Sequence, residues 1–112
     1  MQAEDRIRLQ HMIDAAQAAL QFVSGRQRVD LDADQMLLFA VVRAIEIVGE
    51  AATRMSIEAR DAAPGVPWAA IVGMRHRIVH AYFSIDRDIV WNTVMLELPQ
   101  LLPILQAALA RK

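Results

Sequence analysis

Apolar positions recur at helical spacing through most of this chain. From Glu4 to Val23, the residues Ile13, Ala16, Leu20 and Val23 fall on one stripe. This predicts an amphipathic helix, closed by Ser24-Gly25. Arg26 to Asp32 reads as a polar connector. A long second helix is expected from about Ala33 to about Met55, with Asp32 or Asp34 accepting from its free N–H groups. It carries Met36, Leu37, Leu38, Phe39, Val41, Val42, Ile45, Ile47 and Val48, more than one stripe, so it should be central or buried on two sides. Ser56 to Ala62 suggests a short helical turn. Ala63-Pro64-Gly65-Val66-Pro67 is the sharpest break, and Pro67 suits the first turn of the next helix. That helix would hold Trp68, Ile71, Val72, Met74, Ile78 and Val79, reaching toward Phe83. Ser84-Ile85-Asp86 marks another boundary, with Ser84 or Asp86 as the N-cap. The last helix holds Ile89, Val90, Val94, Leu98, Leu101, Leu102, Leu105 and Leu109, and Pro99 and Pro103 should kink or split it. No period-2 run is convincing, so strands are not expected. The pattern predicts one all-α domain over residues 1–112, an antiparallel bundle of four to five helices.

Composition changes this picture in three ways. The hydrophobic fraction is 55%, above the roughly 45–50% of soluble domains, and although alanine inflates it, the excess suggests a face that meets a partner. The chain has no cysteine, which excludes disulfides and thiolate chemistry and fits a reducing compartment. The start lacks the basic-then-apolar pattern of a signal peptide, and no apolar stretch is expected to approach the ~18 residues that cross a bilayer. The reading is therefore cytoplasmic, with no membrane. Net charge is −1, so any binding of RNA must use a local patch. All the basic residues but Lys112 are arginine, whose planar fork suits phosphate, although a bias of base composition accounts for most of them.

Candidate chemistry concentrates in Arg75-His76-Arg77-Ile78-Val79-His80-Ala81-Tyr82. Histidine exchanges a proton near neutral pH, and arginine holds a phosphate and the charge that develops on it. Together they suffice for cleavage of RNA, which supplies its own nucleophile in the 2′-hydroxyl, without a metal or other cofactor. On one regular helix, His76 and His80 share a face, but Arg75 and His80 lie about 140° apart. Either the segment leaves helical geometry near Arg75, or a second copy completes the site across a twofold axis. The His76/His80 pair could alternatively bind zinc, but no third ligand is evident, and an Arg-His-Arg triplet can simply be a solvated face. Trp68 and the methionines read as core; Trp91 is core or interface. In the second helix, Arg43, Glu46, Glu50 and Arg54 form a polar stripe. They are either surface ion pairs or the lining of a groove that orients the Arg-His segment.

The chain resembles the HepT-like branch of the HEPN superfamily. The resemblance rests on Gly49-Glu50-Ala51, then Val66-Pro67-Trp68, Ile71-Val72-Gly73-Met74 leading into Arg75, and His80-Ala81-Tyr82-Phe83, Asp86, Ile89 and Trp91. It implies an all-α homodimer with metal-independent ribonuclease activity, with Arg75 and His80 at the two catalytic positions. His76 stands where the family very often has Asn, as a supporting group with Glu46 and Glu50. The resemblance also implies the toxin of a type VII-like toxin–antitoxin system. Its partner would be an MNT-type nucleotidyltransferase antitoxin that transfers AMP to Tyr82. The alternative is a non-catalytic helical module that presents a nucleotide or substrate to such a transferase.

Overall fold

The computed structural model describes residues 1–81 and 84–111, without the side chains of residues 79–81. Helix α1 (Ala3–Phe22) buries Leu9, Met12, Ile13, Ala16 and Ala19. Gly25 takes a positive φ of 74° and turns the chain away, a conformation that glycine adopts without a Cβ clash. The expected polar connector contains one helical turn, α2 (Asp30–Ala33), because Leu31 is drawn into the core. Helix α3 (Gln35–Thr53) begins at Asp34, whose side chain accepts from the Leu37 N–H at 3.1 Å. Its neighbours are α1, α2 and the short helices that follow, which makes it central as its apolar pattern requires. Met36, 83% exposed, and Phe39 stay outside.

One carboxylate is buried in holding these parts together. Asp5, 3% exposed, accepts from the Ser56 backbone N–H at 2.9 Å and from its hydroxyl at 2.7 Å. The same Ser56 hydroxyl caps α4 (Ile57–Ala62) by accepting from the Ala59 N–H. Pro67 then stands at the cap of α5 (Trp68–Val72), and the Trp68 indole donates to the Ala63 carbonyl at 3.0 Å. At Gly49 α3 packs on this helix at ordinary contact distance: a Cβ there would lie 3.4 Å from the Ile71 carbonyl oxygen.

The single helix expected from Trp68 to Val79 is two short ones. It is interrupted at Gly73, and α6 (Met74–Ile78) follows. Strands, which were not expected, then form a minimal antiparallel hairpin, β1 (Val79–Ala81) with β2 (Ser84–Ile85), pairing Val79 with Ile85 and Ala81 with Ser84. So short a pairing is below the length at which alternation is readable. The Asp86 N–H donates to the Ile78 carbonyl at 2.8 Å, closing the hairpin onto the end of α6. Asp86 also caps α7 (Arg87–Asn92) by accepting from the Ile89 N–H. Arg28 binds Asp88 and Asp32, fastening the start of α7 to α2.

The last helix was expected to kink or split at its prolines. It does not split: a π-helical turn (Thr93–Glu97), a usual place for a helix to bend, joins α7 to α8 (Leu98–Ala110) in one continuous run. In α geometry the Pro99 ring would press on the carbonyl four residues back; the wider turn directly before it relieves that clash. The whole run Arg87–Ala110 has a window of mean hydropathy 1.4 and is long and apolar enough to cross a bilayer. This corrects the expectation that no stretch comes near that length. Here, Val90, Val94, Leu98, Leu101 and Leu105 from this run are buried in the protein core, and α8 packs on α1.

Candidate active site

Arg75 is the second residue of α6, which seats it against α3 rather than free in solvent. Its Nε donates to Glu46 Oε2 at 2.8 Å. The pair is 51% exposed on the arginine side and 21% on the glutamate side. The hydrogen bond to Glu46, and then the charge of that carboxylate, raise the Arg75 pKa above the ordinary arginine value, with a smaller push from the charge of Glu50. With Nε committed to Glu46, the guanidinium is held in orientation. Its two terminal nitrogens make no hydrogen bond among the described residues, so they are available to an anion.

The neighbours of Arg75 in the triplet do different things. Arg77 points to the other side of α6 and binds Glu97 at 3.1 Å. Thr93, buried, donates to the Ile89 carbonyl and to the same Glu97. This clamp fastens α6 to the π turn and was not foreseen from sequence, because Arg77 and Glu97 are twenty residues apart with no pattern linking them. His76 is exposed beside Arg75.

The chain leaves the helix after Ile78, three residues beyond Arg75, so Arg75 sits on α6 and the His80 backbone on β1, and the angle of one regular helix no longer relates them. For the same reason His76 and His80 are not one turn apart on a common helix. The His80 side chain and Tyr82 lie outside the described residues. Glu50, grouped with Glu46 as support, does not touch Arg75. It accepts from Arg43 at 3.1 Å and acts on Arg75 through its charge alone. The polar stripe of α3 is thus divided: Glu46 orients Arg75, Arg43 and Glu50 pair on the surface, and Arg54 makes no ion pair among the described residues. The break that frees Arg75 from the helix before it did leave a signal, Gly73 two residues upstream.

Comparison with known proteins agrees with this architecture. The model of the family described as Ribonuclease HepT-like matches residues 12–108, a span that holds Glu46, Arg75, His80 and Tyr82. A protein of Caldanaerobacter subterraneus subsp. tengcongensis, named as a candidate RNase, is 36% identical over 93 residues, 83% of each chain. A candidate RNase of Methanocaldococcus jannaschii is 31% identical over 93 residues, 83% of this chain and 85% of that one. A protein of Thermococcus cleftensis named "Probable ribonuclease HepT" is 38% identical over 72 residues, 64% of this chain and 66% of its own. No solved structure gives a significant match. With most of its length matched and its helices in place, the chain belongs to the HepT-like ribonuclease family.

Proposed function

We propose that this protein is a metal-independent endoribonuclease, the toxin of a toxin–antitoxin pair acting in the cytoplasm, and that two copies build its site. The observation that carries the reading is the Arg75–Glu46 pair, an arginine fixed through Nε with its terminal nitrogens left for a phosphate. Arg75 holds the scissile phosphodiester. His80, at the start of the hairpin, takes the proton from the 2′-hydroxyl. That oxygen attacks phosphorus, the bond to the 5′-oxygen breaks, and the leaving oxygen is protonated by His80 of the second copy or by His76. The products are a 2′,3′-cyclic phosphate and a free 5′-hydroxyl. The nucleophile comes from the substrate and the countercharge from Arg75, so no step calls for a metal.

Control is assigned to Tyr82. A partner nucleotidyltransferase of the MNT type would transfer AMP from ATP to the phenolic oxygen, releasing pyrophosphate. The added phosphate would repel an RNA phosphate from the site two residues away. The test is cleavage of tRNA and mRNA by the purified protein in EDTA, beside Arg75→Ala and His80→Ala. Cleavage by the wild type alone, ending in cyclic phosphates, is expected. If wild type and both variants are equally inert, the enzymatic reading falls.

A further inference from the structure

Of the eleven arginines, six bind carboxylates: Arg26, Arg28, Arg43, Arg75, Arg77 and Arg87. Three more, Arg6, Arg60 and Arg111, donate to backbone carbonyls. Only Arg8 and Arg54 make neither kind of bond among the described residues. They come from different helices, yet both line the same open groove of about 370 Å³ between α1 and α3. Arg43 and His11 line it too, with Glu4 and Glu50 as the acidic members. The arginines outnumber the carboxylates there, in a chain whose net charge is −1.

The place of this groove matters as much as its charge. Glu50 lines it one helical turn from Glu46, which binds Arg75. The groove is therefore next to the candidate site, and Arg43 to Arg54 extends about 16 Å along α3 at 1.5 Å per residue, room for more than one phosphate. At the far end of the same two helices the exposed side chains include the apolar Phe22, Met36 and Phe39. That end suits a protein surface; the guanidinium end suits a polyanion. On the α6 side Arg75 and Arg77 are paired with Glu46 and Glu97, and in the groove Arg43 is paired with Glu50, so Arg8 and Arg54 are the groove's arginines without a carboxylate among the described residues.

We propose that the α1/α3 groove is an RNA-backbone site, in which Arg8, Arg43 and Arg54 hold phosphates of the strand beyond the one bound at Arg75. The proposal takes the polyanion to be RNA from the ribonuclease reading. The full-length His80→Ala protein, which leaves RNA intact, is titrated with a fluorescein-labelled single-stranded RNA at several salt concentrations. Each phosphate contact on a single strand contributes about 0.7 to the slope of log affinity against log salt. Adding Arg8→Ala, Arg43→Ala and Arg54→Ala together should lower that slope by about 2, and should weaken binding about tenfold or more at moderate salt. The three Arg→Lys changes should preserve the slope. An unchanged slope in the triple alanine variant, or no salt-dependent binding by the parent, overturns the proposal. So does a loss of binding that comes with a change in oligomeric state by light scattering, which would assign the groove to a second copy. With His80 restored, the triple alanine variant should raise KM for long RNA and leave kcat for a dinucleotide unchanged. If the wild type cuts no RNA but the slope falls as expected, the ribonuclease reading fails and the groove stands. If it cuts and the slope is unmoved, the reverse holds.

Discussion

Asp5 and Glu46 are both carboxylates that reach from a long helix to the beginning of a distant short one. Asp5 extends from α1 to the cap of α4, and Glu46 from α3 to the second residue of α6. Asp5 is buried and spends itself on Ser56, whose backbone N–H above all holds it below the usual carboxylate range against the opposing effect of burial. Glu46 is partly open and binds the side of a guanidinium whose far nitrogens face outward. A buried carboxylate with its partners satisfied is a fastening. An accessible one that uses only half of a cation's donors is a positioning device. Burial and leftover donors, rather than residue type or bond length, separate the two roles.

The largest expected effect lies at the chemical end of the second region. His80→Ala should lower RNA cleavage about 10²–10⁴-fold with an unchanged melting temperature, read by gel assay and thermal scan. Asp5→Ala should do the opposite. It strands the part-buried Ser56 N–H, so it should cost about 2 kcal/mol, a drop of roughly 10 °C in Tm, with cleavage by the folded fraction unaltered. Its pH signature has a definite sign. Folding lowers the Asp5 pKa, so its contribution is complete above the ordinary value of 3.8 and is lost as pH falls below it. Acid unfolding of Asp5→Asn should therefore be less steep than that of wild type in this range. Glu46→Gln keeps an acceptor but removes the charge. Cleavage should fall about tenfold, as expected for a slightly misplaced group, while Tm hardly moves. A Tm loss at Glu46 as large as at Asp5 would erase the distinction between the two carboxylates. The smallest effect is at Gly49→Ala. The new methyl meets the Ile71 carbonyl oxygen at 3.4 Å, an ordinary contact, and alanine favours a helix interior, so stability should rise by about 0.5–1 kcal/mol. Reduced cleavage in a protein of unimpaired stability would show that α5 and α6 had been displaced.

Much of this architecture is legible without coordinates. The stripes of α1 and α3 and the Pro64–Pro67 break follow from local chemistry that acts within four residues, and the same chemistry narrows each cap to two residues, of which Asp34 and Asp86 are the ones used. The Arg75–Glu46 pair was half legible: the stripe on α3 was visible, but which of Glu46 and Glu50 reaches Arg75 depends on where α6 packs, 29 residues later. The hairpin was missed because a pairing this short leaves no alternation, and the helix that precedes it ends where β-branched Ile78 and Val79 follow the cluster. The Asp5–Ser56 lock was missed because an acidic residue in a first turn reads as a favourable charge on the helix dipole, and nothing local says it is buried. The unengaged pair Arg8 and Arg54 emerges only after the other arginines have been matched with their partners in space.

The bond from the Asp86 N–H to the Ile78 carbonyl has one more consequence. It joins the end of one helix directly to the cap of the next, so the spacing of the two helices is set there. An added or deleted residue cannot be absorbed by sliding, because α6 is clamped through Arg77 and α7 through Arg28. An insertion or deletion between Ile78 and Asp86 should therefore break this bond, which acts as a ruler rather than a hinge.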